Sequence, residues 1–240
     1  MRVLAGPAAL AEAGASEFVI HAQAAVAARG RFTVALAGGS TPRPLYARLA
    51  DPDAPPRAAV PWASVHVFFA DERQVPPDHA DSNMKMAYET LLRNVPIPEE
   101  QVHRIRGENP DPDRAAEEYE GILSDVFRLE PGQRPRFDLV LLGLGADGHT
   151  ASLFPGGAAL SETSRLAVGV PTAGAGFDRV TLTLPVLNEA AAVMFLIAGA
   201  AKAPALRRVL GGDTTLPAAR VRPRNGSLLF LADRDAAAQG

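Results

Sequence analysis

Four stretches of this chain carry residue types that can do chemistry together. The first is Gly38-Gly39-Ser40-Thr41-Pro42. Two glycines let the backbone approach a ligand closely, and the segment that follows reads as a helix whose free N–H groups favour an anion. Ser40 or Thr41 is placed to cap that helix, so an ordinary strand-to-helix turn fits these residues as well. The second stretch, Asp71-Glu72-Arg73, joins two carboxylates to a guanidinium, as a structural ion pair or as part of a site. Downstream, ADSN (80–83) reads as a helix cap and His79 as a loop residue. The third is GLGADGHTASLFPGG (143–157), in which Asp147 and His149 follow an apolar run that ends in glycines. The ordinary pKa of a histidine suits general-base work near neutral pH, and a neighbouring carboxylate can orient the ring. A passing histidine at a surface turn is the other reading. The fourth group is basic: Arg179 opens RVTLTLP, and Lys202 follows the apolar run VMFLIAG. Each is a solvated charge by default. Taken with Arg73 and the Gly-Gly-Ser-Thr turn, they form a local anion pocket with an acid–base group at its edge, which is what a sugar phosphate needs.

These clusters must be positioned by the elements between them. FTVALAGG (32–39), VHVFFADE (65–72), FDLVLLGLG (137–145), VMFLIAG (193–199) and SLLFLAD (227–233) read as strands, with LAVGV (166–170) and RVTLTLPVL (179–187) as further strands and VHRI (102–105) as a short one. Helical stretches alternate with them: Leu10 to Val26 with apolar spacing, PRPLYARLA, SNMKMAYETLLRNV (82–95), DPDRAAEEYEGILSDVFRL (111–129) and AKAPALRRVLGG. A further short helix is expected from Asp147 toward Phe154. Near-continuous apolar strands alternating with helices predict an α/β fold, a mostly parallel sheet covered on both faces, which binds ligands beyond the carboxyl ends of its strands. DPDAPPRAAVP (51–61) reads as a loop within one fold and DRDAAAQG as a fraying tail, so residues 1–240 are expected to form a single domain.

Composition narrows the function. The chain has 240 residues, 47% hydrophobic and 21% charged, as globular proteins have. A formal charge of −3 gives no global attraction to nucleic acid or an anionic membrane. Without cysteine there are no disulfides, thiolate metal sites or cysteine nucleophiles. The histidines at 66, 79, 103 and 149 lack metal-ligand spacing and the acids lack a calcium-loop pattern, so neither metal nor cofactor is expected. Glu12, Glu17 and His21 interrupt the apolar N-terminus, which argues against a targeting or spanning segment and for a cytoplasmic protein. The expected partner is a small sugar phosphate, with no nucleic acid, membrane or obligate protein partner.

ALAGGSTP, FFADERQVPPDHADSN, FDLVLLGLGADGHTASLFPG, RVTLTLP and FLIAGAAKA occur in that order from residue 35 to residue 203. In that order the chain closely resembles the 6-phosphogluconolactonases, a family within a wider group that includes the glucosamine-6-phosphate deaminases and ribose-5-phosphate isomerases. The resemblance implies a three-layer α/β/α fold. It also implies metal-free hydrolysis of 6-phospho-D-glucono-1,5-lactone to 6-phosphogluconate, the second step of the oxidative pentose phosphate pathway. His149 then matches the general base, with Asp147 beside it. Arg73, Arg179 and Lys202 match basic positions around the phosphorylated substrate, Gly38, Gly39, Ser40 and Thr41 the loop at its edge, and Asp71 a further substrate contact.

Two departures separate the chain from the deaminases. Their segment after Asp-Gly-His contains a glutamate that assists ring opening, whereas Ser152-Leu153-Phe154-Pro155 has no acid before Glu162. They also carry an aromatic residue where this chain has Arg73. A non-catalytic sugar-phosphate-binding domain is the remaining alternative. Such proteins usually bring a helix-turn-helix, and residues 1–30 show no basic recognition helix.

Overall fold

The apolar runs form the middle of a six-stranded sheet. In the computed structural model, which describes residues 1–172 and 176–238, the chain runs β1 (Arg2–Leu4), α1 (Pro7–Arg29), β2 (Phe32–Leu36), α2 (Arg43–Ala50), α3 (Pro55–Ala59), β3 (Val65–Phe69), β4 (Asp71–Arg73) and α4 (Asn83–Thr90). It continues through α5 (Pro112–Phe127), β5 (Leu139–Gly143), β6 (Ala167–Val170), β7 (Arg179–Leu182), α6 (Leu184–Leu187), β8 (Ala192–Ile197), α7 (Ala203–Leu210), β9 (Ser227–Asp233) and α8 (Arg234–Ala237). The large sheet has the order β1-β9-β8-β5-β2-β3, with every pair parallel. All residues of β2 and β8 are buried, as strands covered on both faces must be.

The two faces can be told apart by register. Phe18 of α1 packs edge-on against Phe32, which pairs with Val65. Phe127 of α5 packs against Phe68, three residues beyond Val65 and so on the opposite face. The two helices therefore cover opposite sides of the sheet. Pro7 opens α1 at a position where its missing N–H costs nothing, and Gly30 closes it in the left-handed region at φ 73°. Small residues on the buried side of α1 bring it close to the core, and a Cβ on Gly14 would collide with Leu45 of α2. Each fully buried aromatic or aliphatic side chain here contributes about 1.5–3 kcal/mol.

Several expectations change. LAVGV and RVTLTLP leave the parallel sheet: β7 pairs antiparallel with the three-residue strand β4 and β6 pairs antiparallel with β7, in the order β4-β7-β6. VHRI makes only one bridge, Val67 to Val102, plus a bond from the His103 N–H to the Val67 carbonyl, before the chain turns away. The 51–61 segment contains α3, anchored by the buried Pro56. The tail does not fray through its first turn: Asp233 caps α8 and Ala236 is buried, while residues 239–240 lie outside those described. The strand β1, three mostly exposed residues, was not anticipated at all. Among the described residues no helix is long and apolar enough to cross a membrane.

At the opposite end of β3 from its glycine-rich neighbours, Nδ1 of His66 lies 3.1 Å from Nε2 of His103, and the two rings are parallel. His103 also stacks on Phe68 at 4.5 Å. Burial first, and then the neighbouring His66, pushes His103 down to about 4. With the folded-state value below the ordinary 6.5, the unfolded chain takes up the proton first, so stability present above pH 6.5 is lost as pH falls toward about 4. A His103→Phe variant keeps the stacking and removes this titration. Its unfolding free energy, followed by denaturant titration, is expected to depend less on pH across that window than the wild type's; equal slopes would show that His103 does not drive the loss.

Candidate active site

A cleft of about 270 Å³ opens across the carboxyl ends of β8, β5, β2 and β3. The chain leaves β2 toward β3 on one side and builds β5, β8 and β9 on the other. The cleft therefore sits at the switch point where open α/β sheets bind ligands. Gly38, Gly39, Ser40 and Thr41 line one wall, Asp71, Arg73 and Arg179 another, and His149 and Lys202 complete it. Of the residues singled out from the sequence only Asp147 lies outside the lining, directly behind His149.

Nδ1 of His149 lies 2.6 Å from Oδ1 of Asp147, and the same oxygen accepts the His149 backbone N–H at 3.1 Å. Partial burial on its own would raise Asp147, but the amide and ring of His149 outweigh it and hold the carboxyl below its usual range. A carboxylate at Nδ1 selects the tautomer that carries its proton there, leaving Nε2 bare. The segment is not the short helix expected. Gly148 and Ala151 take φ of 87° and 48°, which no helix accommodates, and the Gly145 N–H bonds back to the His149 carbonyl. Thr150 Oγ1 ties the turn to the Gly143 carbonyl at the end of β5. A Cβ on Gly145 would occupy the space of the His149 ring and the Asp147 carboxylate, so glycine is required there for contact rather than for flexibility.

The cationic wall comes from the small sheet. The register of β4 with β7 sets Arg73 opposite Arg179 and Asp71 opposite Thr181. Directly opposed side chains share a face and like charges there repel, so two guanidiniums are forced together. Arg73 donates from one terminal nitrogen to the Asp81 carbonyl at 2.8 Å and to Asn83 Oδ1 at 2.7 Å. For Arg179 the nearest carboxylate oxygen is Oδ2 of Asp71 at 4.0 Å. Burial lowers the Arg179 pKa; Asp71 opposes this and Arg73 adds to it. The buried Nε atoms of both arginines have no hydrogen-bond partner among the described residues. Two guanidiniums this close with unused donors favour an anion beside them.

Reading the sequence missed the residues that hold this wall. Asn83 donates to the Asp71 backbone oxygen at 2.9 Å and to Asp71 Oδ1 at 3.3 Å while accepting from Arg73. Ser152 Oγ donates to Asp71 Oδ2 at 2.6 Å, and its N–H donates to Thr181 Oγ1. Buried Glu72 accepts from the N–H groups of Arg73, Asn83 and Met84 and from Ser82 Oγ. Burial raises its pKa, against those donors. The signal was ADSN, which does supply the helix cap: Ser82 accepts from the Lys85 N–H. The residue after the cap reaches back into the site. Ser40 and Thr41, by contrast, do not cap α2, whose N-cap position is Pro42 with no side-chain bond. Among the described residues no backbone acceptor takes the N–H of Gly39, Ser40 or Thr41.

Gly38 offers a direct test of the Asn83 clamp. A Cβ there would fall inside the Asn83 carboxamide, which is fixed by three hydrogen bonds and has nowhere to move. Gly38→Ala is expected to displace Asn83, release Arg73 and weaken inorganic phosphate binding about tenfold by calorimetry. Circular dichroism should stay native. Unchanged affinity would show that Arg73 holds its place without Asn83.

The arrangement has relatives. A curated 6-phosphogluconolactonase of Synechocystis sp. is 45% identical over 216 residues, covering 88% of this chain and 86% of the relative. That of Rattus norvegicus is 41% identical over 234 residues, covering 94% and 89%. Among solved structures, the 6-phosphogluconolactonase of Trypanosoma brucei superposes with a TM-score of 0.84 at 34% identity, covering 98% of this chain and 96% of that one. A monomeric glucosamine-6-phosphate deaminase superposes at 0.76 with 19% identity, which speaks for the fold alone. The model of one family, glucosamine-6-phosphate isomerases/6-phosphogluconolactonase, matches residues 5–230, and the chain belongs to that family.

Proposed function

We propose that this chain hydrolyses 6-phospho-D-glucono-1,5-lactone to 6-phospho-D-gluconate, with His149 as the general base. The observation that carries this reading is the His149–Asp147 pair at the edge of a cleft that also holds Arg73, Arg179 and Lys202. The lactonases among its relatives support the choice of substrate. Neutral His149 takes a proton from water through Nε2 as the water oxygen attacks C1. The bond from C1 to the ring oxygen then breaks, and that oxygen receives the proton from the imidazolium. One water is consumed and nothing is oxidised or reduced. Asp147 keeps the ring oriented and stabilises its charged form.

Arg73, Arg179 and Lys202, with the N–H groups of Gly39, Ser40 and Thr41, hold the phosphate and offer donors to the carbonyl oxygen as it gains charge. Asp71 lines the same wall, 4.0 Å from Arg179, and faces the substrate from there. The segment 150–157 contains no carboxylate, which favours lactone hydrolysis over the aldose–ketose chemistry of the wider family.

Freshly generated lactone is the substrate to assay, with spontaneous hydrolysis subtracted. His149→Ala is expected to lose about 10² to 10⁴ of the kcat/KM above background, the usual worth of general-base help. Retention of the wild-type rate would remove His149 from the mechanism. Glucosamine 6-phosphate under the same conditions should release no ammonia; release would reassign the chain to deamination.

A further inference from the structure

Phe154 is absent from the lining of the cleft, yet it touches both halves of the site. Its ring centroid lies 4.9 Å from that of His149, with the planes tilted by 48°. The guanidinium carbon of Arg179 lies 5.8 Å from the same centroid. Imidazole, benzene ring and guanidinium thus form one contiguous cluster, with the aromatic ring in the middle. On its far side Phe154 borders a mostly apolar groove with Gly157, Ala159, Gly169 and Val170, a groove that Arg179 also edges.

Both neighbours need such a support. Arg179 directly opposes Arg73, its Nε is buried without a partner among the described residues, and Asp71 stands 4.0 Å away. Among the described residues nothing hydrogen-bonded to Arg179 sets where its plane lies; an aromatic face attracts a guanidinium and does so without consuming its N–H donors. His149 is held at Nδ1 by Asp147, but that carboxylate is itself 54% exposed, and one hydrogen bond leaves the ring free to swing. A tilted aromatic neighbour removes that freedom. Phe154 is well seated for the purpose. Two residues before it, Ser152 is buried and bonded to both Asp71 and Thr181, Leu153 is fully buried, and the Phe154 carbonyl accepts the Gly157 N–H at 3.0 Å.

We propose that Phe154 is a positioning residue that holds the His149 imidazole and the Arg179 guanidinium as one unit, keeping base and cation at a set separation. The inference rests on the roles given to His149 and Arg179 above. A residue needed only for packing would lower the amount of folded enzyme; one that places both groups changes kcat through the base and KM through the cation.

The test compares Phe154→Leu with Phe154→Tyr, which restores the aromatic face. Phe154→Leu is expected to lower kcat about tenfold and raise KM about fivefold, with Phe154→Tyr within about twofold of wild type on both. In a His149→Ala background Phe154→Leu should cost no further kcat, while still weakening 6-phosphogluconate binding by calorimetry. Equal losses in the leucine and tyrosine variants, or kcat and KM unchanged in the leucine variant, overturn the proposal. If Phe154→Leu does not fold, Phe154→Met takes its place with the same expectations. A wild-type enzyme inactive on the lactone would count against the proposed function alone. Calorimetry with 6-phosphogluconate and inorganic phosphate then still reads Arg179, and undiminished affinity in Phe154→Leu would overturn the positioning role by itself.

Discussion

Two guanidiniums placed directly across an antiparallel pair of strands are the constraint around which this site is built. Arg73 and Arg179 are register partners in β4 and β7, and nothing in the folding of a three-residue strand favours that pairing of like charges. The surroundings are organised to tolerate it. Asp71, on the same face, is buried and bonded to Ser152 and Asn83. Asn83 in turn fixes one terminal nitrogen of Arg73, and Glu72, on the other face of β4, gathers the first amides of α4 and so locks the helix that carries Asn83. A buried carboxylate raised by desolvation is a costly way to hold a helix end, and four donors offset that cost. Arg73 is thereby held in position before any ligand arrives, which reduces the ordering that binding must impose.

The histidine half of the cleft is built on a different principle. Strand register places both arginines and hydrogen bonds fix Arg73 further, whereas His149 is positioned by a strained turn at the end of β5. Ala151 in the left-handed region is unfavourable for any residue with a Cβ, and that strain is tolerated because Thr150 and Leu153 bond to each other and Thr150 ties back to Gly143. The two halves meet through Ser152. Its hydroxyl reaches the Asp71 carboxylate on the cationic side, and its neighbours in sequence carry the histidine turn on one flank and Phe154 on the other.

How much of this was legible in the sequence follows from the range of each interaction. The five core strands and the long helices were readable because apolar runs and helical spacing are local, as in FTVALAGG and in the apolar spacing from Leu10 to Val26. The clusters at strand ends were readable because a parallel sheet gathers its carboxyl ends at one edge whatever the details. The second sheet was not readable: RVTLTLP and LAVGV have the composition of core strands, and only long-range pairing with β4 sends them elsewhere. The histidine turn was taken for a helix because the left-handed conformations of Gly148 and Ala151 leave no compositional mark at the alanine. Asn83 and Ser152 stayed hidden for a related reason. Each acts through a partner 12 or 81 residues away, and nothing nearby in the chain distinguishes them from an ordinary cap and an ordinary turn residue.

The same segment bears on how one fold carries more than one reaction. The superposition on a glucosamine-6-phosphate deaminase at 19% identity shows that the scaffold does not select the chemistry. Selection lies in residues mounted on the scaffold, those after the histidine and Arg73 among them. Here Ser152 is committed to Asp71, Leu153 to the core, and Phe154 to its contacts with His149 and Arg179. A carboxylate introduced at any of these three positions would break an existing contact before it could serve a substrate. An acid at 152 would face Asp71 within a buried pocket, where two like charges cannot both ionise, and an acid at 154 would pair with Arg179 and withdraw it from the anion. The absence of an acid between His149 and Glu162 is thus more than a missing catalytic group. It keeps a further carboxylate of this segment away from the cationic wall.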